Sequence, residues 1–383
     1  MPDATALVPL WNRAEEWQRR LAMVRDARTF LYLSTFYIEY DSYAQTMLAE
    51  LRAAQRRGVA VNLLIDAFGQ RLGGVLMTVQ QRAHLTRDLD AIRAAGGIVS
   101  FYRPDRFIQR QVGGGQHVKI QASDAGEAIF GSSNITKSSF DSWNEYAVAV
   151  RGPIVRTLLE SYREIGGTVD DAHLTQVDEV SAGSDAVIPL DYWFCNPNPL
   201  QGSKGPFGWS GPNVVTERLI EMMDAAREEV LLTSFYFKPV PPLMDAVVRA
   251  AQRGVRVEVH HSHRDALPAT DLAWIAAAIS YPRLLAAGVT LYENRHGEHS
   301  KIVVVDRRWA AFGTYNFEDA AHDRLAEAML ASRDRRAIEP LFAIFDELRQ
   351  HPDNSVVTQE TLRHWPTRVA RRVARFGRFK RWM

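Results

Sequence analysis

His117-Val118-Lys119-Ile120-Gln121-Ala122-Ser123-Asp124 returns as His299-Ser300-Lys301-Ile302-Val303-Val304-Val305-Asp306, at an offset of 182 residues. The same offset carries Gly131 onto Gly313, Asn134 onto Asn316 and Glu145 onto Glu327. One HxK alone carries little information. Two copies with matching downstream Asn and Glu are hard to explain by packing. They point to a duplicated chain that brings two imidazoles and two ammoniums to one anionic centre.

The repeat extends outward from these motifs. The apolar run Phe30 to Ile38 (FLYLSTFYI) resembles Val230 to Phe237 (VLLTSFYF). Each is followed by a helical stretch with a glycine stop, AELRAAQRRG to Gly58 and VVRAAQRG to Gly254. A short strand comes next in both copies, VAVNLLID from Val59 and VRVEVHH from Val255. After it come a helix ending in Ala-Ala-Gly, an edge-like strand and the motif strand. Strands alternating with helices imply an α/β protein with a largely parallel or mixed sheet covered on both faces.

Between the copies, Asn196 to Pro212 (NPNPLQGSKGPFGWSGP) is too rich in Pro and Gly for a regular element. The expected division is a first repeat over 1–166, a linker over 167–212 holding one strand near 186–194, a second repeat over 213–350 and a tail over 351–383. The stretch 69–80, with GGVLM at its centre, has no counterpart in the second copy and reads as an inserted loop.

At 383 residues the chain can bury two cores of ordinary size. The lone Cys195 rules out an intrachain disulfide and is compatible with a reducing compartment. The N-terminal stretch lacks a basic region followed by an apolar one, so no signal peptide is expected, and no apolar run is long enough to span a bilayer. From Thr361 onward there are eight Lys or Arg and no acid, which leaves −7 on the rest of a chain of net charge +1. Trp365, Val369, Val373, Phe376 and Met383 fall near one helical face among those arginines, and Phe379 and Trp382 add aromatic anchors. Such a segment suits an interfacial helix on an anionic membrane. The acidic body suits a duplex-binding groove poorly, so nucleic acid is not an expected partner.

In HxK the His and Lys alternate by two and project from the same face of a strand. Imidazole is a nucleophile or base when neutral and an acid when protonated, and ammonium is a compact charge suited to a phosphoryl oxygen. Lys119, Lys301, Asn134 and Asn316 together make a clamp for a pentacoordinate transition state. Two histidines then allow a two-step displacement through a phosphohistidine, with no cofactor and no metal required.

The pattern resembles the phospholipase D superfamily, whose signature is HxK(x)4D followed by a Gly-rich turn and Asn, over most of the chain from about Thr29 to Ala331. That resemblance implies two α/β/α sandwich repeats about a pseudo-twofold axis, with both motifs at the interface. It implies His117 as nucleophile and His299 as general acid and base, with Glu145 and Glu327 each accepting a proton from an imidazole Nδ1. Asp124 and Asp306 look structural, as does Ser133 in the first turn, where the second copy has Tyr315. Within the superfamily the chain is most similar to short bacterial cardiolipin synthases, through STFYI (34–38), AAQRRGVAVNLLIDAFG (53–69), AVAVRGPIV (147–155) and KIVVVDRRWAAFGTYN (301–316). The second turn continues FEDAAH, unlike the Asp-x-Arg-Ser-like run common in that group. The implied activity is transfer of a phosphatidyl group onto a glycerol-type hydroxyl. The alternative is a phosphodiesterase that hydrolyses phospholipid or nucleic acid. The expected protein is a cytoplasmic monomer, peripheral on the inner face of the cell membrane, with a phospholipid substrate.

Three further features have plain readings. HHSH (260–263) reads as a polar loop near the site mouth, Gly113-Gly114-Gly115 as a mobile lip or a linker, and Tyr37 and Tyr236 as packing residues.

Overall fold

Strands Phe30–Thr35 and Glu229–Ser234 are buried at every position, as strands covered on both faces must be. The structure is a computed structural model that describes residues 3–182, 187–198, 211–377 and 379. Around Phe30–Thr35 seven strands stand in the order Ala6–Leu10, Ala147–Arg151, Glu127–Gly131, Ile120–Ser123, Phe30–Thr35, Ala60–Asp66, Ile98–Tyr102. The last six reappear in the second sheet as Leu325–Ser332, Trp309–Gly313, Ile302–Val305, Glu229–Ser234, Arg256–Ser262, Thr290–Asn294. In both sheets the strands joined through helices pair in parallel and the motif strands pair antiparallel. The duplicated sequence is thus a duplicated topology, and the protein is α/β with two α/β/α repeats.

The glycine stops end their helices as the pattern requires. Gly58 and Gly254 take φ of +93° and +88°, and an added Cβ would meet nothing within 4 Å at either. The left-handed backbone, not lack of space, selects glycine there. One core lies between the sheets, where Phe130, Tyr146 and Val148 of the first meet Phe312, Ala328 and Leu330 of the second, with helices Ile154–Glu164 and Arg335–Gln350 completing the layer. Outer helices close the other face of each sheet.

Several expectations change. The stretch 69–80 is not a loop: it lies mostly in helix Ala67–Leu76 and the start of Val79–Ala94. The segment 167–212 carries more structure than one strand. Helix Asp171–Ser181 packs on the first repeat through Leu174 and Val177, and strand Asp191–Cys195 extends the second sheet beside Leu325–Ser332. Gly113 to Gly115 are buried, and Gly115–Gln116 pairs with Leu325–Ala326 of the other repeat, so this is no mobile lip. His260 and His261 sit inside strand Arg256–Ser262, not in a loop.

The tail changes most. Strand Asn354–Val357 joins the edge of the second sheet. Helix Thr367–Phe376 lays Val369 and Val373 into the second core, Trp365 packs against Trp274 with ring centroids 5.5 Å apart, and Arg372 makes a paired salt bridge to Asp271. Of the apolar residues expected to meet a membrane, Val369 and Val373 are therefore covered by the protein itself and Trp365 partly so, while Phe376 and Phe379 stay exposed. Arg378, Lys380, Arg381, Trp382 and Met383 lie outside the described residues. Replacing Val369 and Val373 by Asp should lower stability by about 2 kcal/mol or more per site. The check is thermal unfolding against Arg371→Ala, an exposed tail residue whose loss should change little.

Candidate active site

Each motif is fastened by its backbone to the opposite repeat. The His117 N–H donates to Ala326 O and the His299 N–H to Asn144 O, both at 2.8 Å, and residues 144 and 326 are themselves related by the 182 offset. The carboxylates cross in the same way. Glu145 accepts from His299 Nδ1 at 2.8 Å, while Glu327 stands 3.1 and 3.3 Å from His117 Nδ1, which also lies 3.1 Å from Thr314 O. Acceptors at both Nδ1 atoms select the tautomer in which Nε2 keeps its lone pair.

Both imidazoles are buried against a ring that the repeat supplies twice. Phe36 meets His117 edge-on at 4.8 Å, and Phe235, its counterpart in the repeated FY pair, meets His299 at 4.6 Å. Trp143 stacks on His299 at 4.8 Å. Burial pushes His299 down to about 3, with Lys301 adding to the effect against Glu145, and pushes His117 well below the usual imidazole range, with Lys119 and Lys301 adding to it. Both histidines are neutral in this setting.

Lys119 and Lys301 each donate to the carbonyl of the histidine two residues earlier, Lys119 at 2.8 Å. Burial, then mutual repulsion of the two ammoniums, pulls Lys119 down to about 7 and Lys301, chiefly through burial, to about 8. A bound anion would offset that repulsion. So kcat/KM, which reports the free enzyme, should fall as pH rises through about 7 to 8 and the lysines lose charge. The profile of kcat should hold to higher pH, because the bound anion raises both lysines. Coincident alkaline limbs for kcat and kcat/KM would contradict this.

The two asparagines differ. Asn134 Oδ1 accepts from Phe36 N and Thr35 Oγ1, both at 3.3 Å, which leaves its NH2 as the donor end. Asn316 donates its NH2 to Glu318 at 3.3 Å, and its Oδ1 has no hydrogen bond. The first amide keeps its whole NH2 for an anion, whereas the second shares its NH2 with Glu318. Ser133 lies behind the site and donates to Glu16 at 3.0 Å, and Tyr315, its counterpart, bonds Thr216 at 2.7 Å. Asp124 accepts the Arg28 N–H, and Asp306 accepts those of Arg227, Glu228 and Glu229. Both aspartates tie a turn to the start of a neighbouring strand.

The carboxylates are also unequal. Glu145 receives the hydroxyls of Ser132 and of Ser139, the latter at 2.8 Å. Glu327 receives only that of Thr314, at 2.5 Å, because Ala321 stands where the offset would place the partner of Ser139. Its Oε1 has no hydrogen bond of acceptable angle. Burial pushes both acids up, but His299, Lys301 and the hydroxyls hold Glu145 at about 2. Glu327, beside Lys119 and Lys301 but with less help, stays at about 8.

The sequence reading missed Phe36, Phe235, Ser132, Thr314, Ser139 and Trp143. The FY pair and the hydroxyls at 132 and 314 were within the repeat and recoverable from it. Trp143 had no such signal, since Leu325 is its counterpart. Also missed was the buried Lys238, which pairs with Glu318 at 3.3 Å. His260 stacks on Tyr292 at 4.3 Å and His261 meets the Tyr281 hydroxyl at 2.9 Å, so both serve the core. Among the described residues no three His, Cys, Asp or Glu gather as a metal site would require.

A family profile described as cardiolipin synthase, PLD-like domain, matches residues 21–165 and 219–349. Cardiolipin synthase of Geobacillus kaustophilus is 26% identical over 333 residues, which cover 82% of this chain and 60% of that protein. Cardiolipin synthase B of Escherichia coli K12 is 25% identical over 328 residues, with coverage of 82% and 72%. The chain thus spans 60% of the length of the first and 72% of the second. Among solved structures, a phosphatidylserine synthase of Haemophilus influenzae Rd KW20 superposes with a TM-score of 0.71 at 15% identity, over 98% of this chain and 95% of that one. At that identity the likeness is one of fold.

Proposed function

The chain belongs to the cardiolipin synthase, PLD-like family, and we propose that it transfers a phosphatidyl group from one glycerol-type alcohol to another through a phosphohistidine on His117. The observation that carries the reading is the crossed pairing, which holds two Nδ1-anchored imidazoles and two lysines against one another between the repeats. His299, neutral beforehand, takes up a proton from solvent as the phosphodiester anion binds beside it. His117 Nε2 then attacks phosphorus, the bond to the departing alkoxide breaks, and that oxygen takes the proton from His299. His299, neutral again, removes the proton of the incoming hydroxyl as its oxygen attacks, and the phosphorus–nitrogen bond breaks. The fully anionic Glu145 favours a protonated His299, and the less ionised Glu327 leaves His117 neutral and nucleophilic.

Transfer rather than hydrolysis is favoured by Trp143, which stacks on His299, and by Phe235, which packs against both rings; together they restrict water at the base. The substrate class comes from the relatives at about a quarter identity, and the acidic body supports a lipid over nucleic acid. The test is purified chain with phosphatidylglycerol vesicles, read by lipid mass spectrometry. Cardiolipin and glycerol should appear, whereas phosphatidic acid alone would mean that water is the acceptor. Activity should survive exhaustive chelation, since the lysines supply the charge a metal would. Loss with EDTA and recovery with one divalent ion would overturn this part.

Among the described residues no helix is long and apolar enough to cross a membrane. A peripheral position on an anionic leaflet remains our reading. The tail contributes charge to it, through the exposed Arg363, Arg368, Arg371 and Arg375, more than an apolar face.

A further inference from the structure

Helix Ala67–Leu76 is amphipathic the wrong way round for a helix that only serves its own core. It buries Gly69 and Gly73. A Cβ at the first would lie 2.3 Å from the Phe36 carbonyl oxygen, and at the second 2.6 Å from the Tyr37 ring, so the helix sits directly on the residues that rim His117. Gln70 also faces in, donating to and accepting from the Ile38 backbone at 2.9 and 3.0 Å. Leu72 and Val75 point out, with Val75 74% exposed, and Val79 follows at the start of the next helix.

The short helix Phe107–Gln111 repeats the inversion. Gln109 is 4% exposed while Phe107, two residues earlier, is 70% exposed. Arg71 donates to Arg110 O at 3.2 Å and joins the two helices. Between them lies a groove of about 320 Å³ lined by Phe68, Arg71, Tyr102, Arg103, Phe107 and Arg110. Exposed apolar side chains ringed by arginines form a surface that favours an acyl–headgroup boundary carrying negative charge. Its place in the fold agrees. A Cβ at Gly113 would touch Phe68 at 3.0 Å, and four residues later the chain reaches His117.

We propose that Leu72, Val75, Val79, Phe107 and Ile108, with Arg71, Arg103 and Arg110, form the face that seats this protein on an anionic lipid bilayer and presents the His117 side of the cleft to it. The inference rests on the reading that the substrate is a phospholipid. Apolar insertion makes the attachment salt-resistant, and the arginines make it selective for anionic lipid.

The test is cosedimentation of the full chain with phosphatidylglycerol or phosphatidylcholine vesicles, for wild type and for the pair Val75→Asp and Phe107→Asp. All of these positions are solvent-facing, so unfolding is not expected, and thermal unfolding checks it. The double variant should lose at least about tenfold in partition to phosphatidylglycerol vesicles, while turnover of bis(p-nitrophenyl) phosphate, a soluble phosphodiester, stays at the wild-type rate. A Val75→Trp variant should show a blue-shifted emission with phosphatidylglycerol and none with phosphatidylcholine vesicles. Undiminished binding by the double variant, or an unshifted tryptophan, overturns the proposal. So does a change from dimer to monomer with vesicle binding intact, which would make the face a contact between copies. Binding needs no chemistry. If the double variant loses vesicles as expected but wild type makes no transfer product, the surface stands and the transferase reading falls.

Discussion

His117→Ala should abolish turnover, and His299→Ala should lower it by roughly 10² to 10⁴-fold, the usual scale of lost acid–base help. The two losses differ in kind. Without His117 there is no atom to receive the phosphoryl group. Without His299 the group can still be received if the leaving alcohol needs no proton. A phosphodiester with a p-nitrophenyl leaving group should therefore load His117 of the His299→Ala protein once and stop there, since no base activates the acceptor. Intact-mass spectrometry after rapid quench should show the adduct on that variant and none on His117→Ala. The reverse pattern would exchange the two roles, and near-normal turnover by either variant would remove the two-histidine mechanism.

The second large effect separates the carboxylates. Glu145→Gln should lower kcat by on the order of 10³ to 10⁴-fold, as when a triad carboxylate becomes an amide and the imidazole turns to the wrong tautomer. Glu327→Gln should cost no more than roughly tenfold near neutral pH, the scale of one hydrogen bond. The sign follows from the environments. Glu327 is pushed up to about 8 by burial, so below that pH it is already neutral, as an amide is. Glu145 is held at about 2 and is anionic throughout. As pH rises through about 8, Glu327 ionises and the ratio of wild-type to Glu327→Gln activity should grow. Taking that ratio cancels the loss of lysine charge that both proteins share. Ala321→Ser, which restores the missing hydroxyl, should move the onset of that growth to lower pH. Equal penalties for the two substitutions would contradict the division of labour.

The fold and the reacting groups were legible because they are repeated. His117, Lys119, Glu145 and their copies stand at one offset, and the offset survives only where both copies hold the same geometry. The crossing of Glu145 to His299 and of Glu327 to His117 was not legible, since a pattern along the chain does not say which repeat faces which. In sequence Asn316 is the twin of Asn134, but Glu318, where the first copy has Thr136, accepts from its amide. The helix over 67–76 is not legible in the repeat, because the stretch 69–80 has no counterpart in the second copy. Here Gly69 and Gly73 are what allow close approach to Phe36 and Tyr37. The tail's amphipathic pattern does mark a helix. Its apolar face found a partner in Trp274 and the second core, and periodicity cannot distinguish that partner from a lipid.

The backbone and carboxylate crossings leave a lone repeat chemically unfinished: its histidine would lack both the carbonyl that fixes the main chain and the acid that fixes the ring. A protein holding one such motif would have to meet a copy of itself, and its rate would decline on dilution. Fusing two copies in one polypeptide replaces that encounter with an effective concentration set by the connection. It also lifts a constraint that identical subunits cannot escape, since in a symmetric pair every substitution appears twice. Ser139 opposite Ala321, and Trp143 opposite Leu325, are differences that two identical subunits cannot hold, and under the proposed mechanism they would let one histidine bond to phosphorus while the other moves protons.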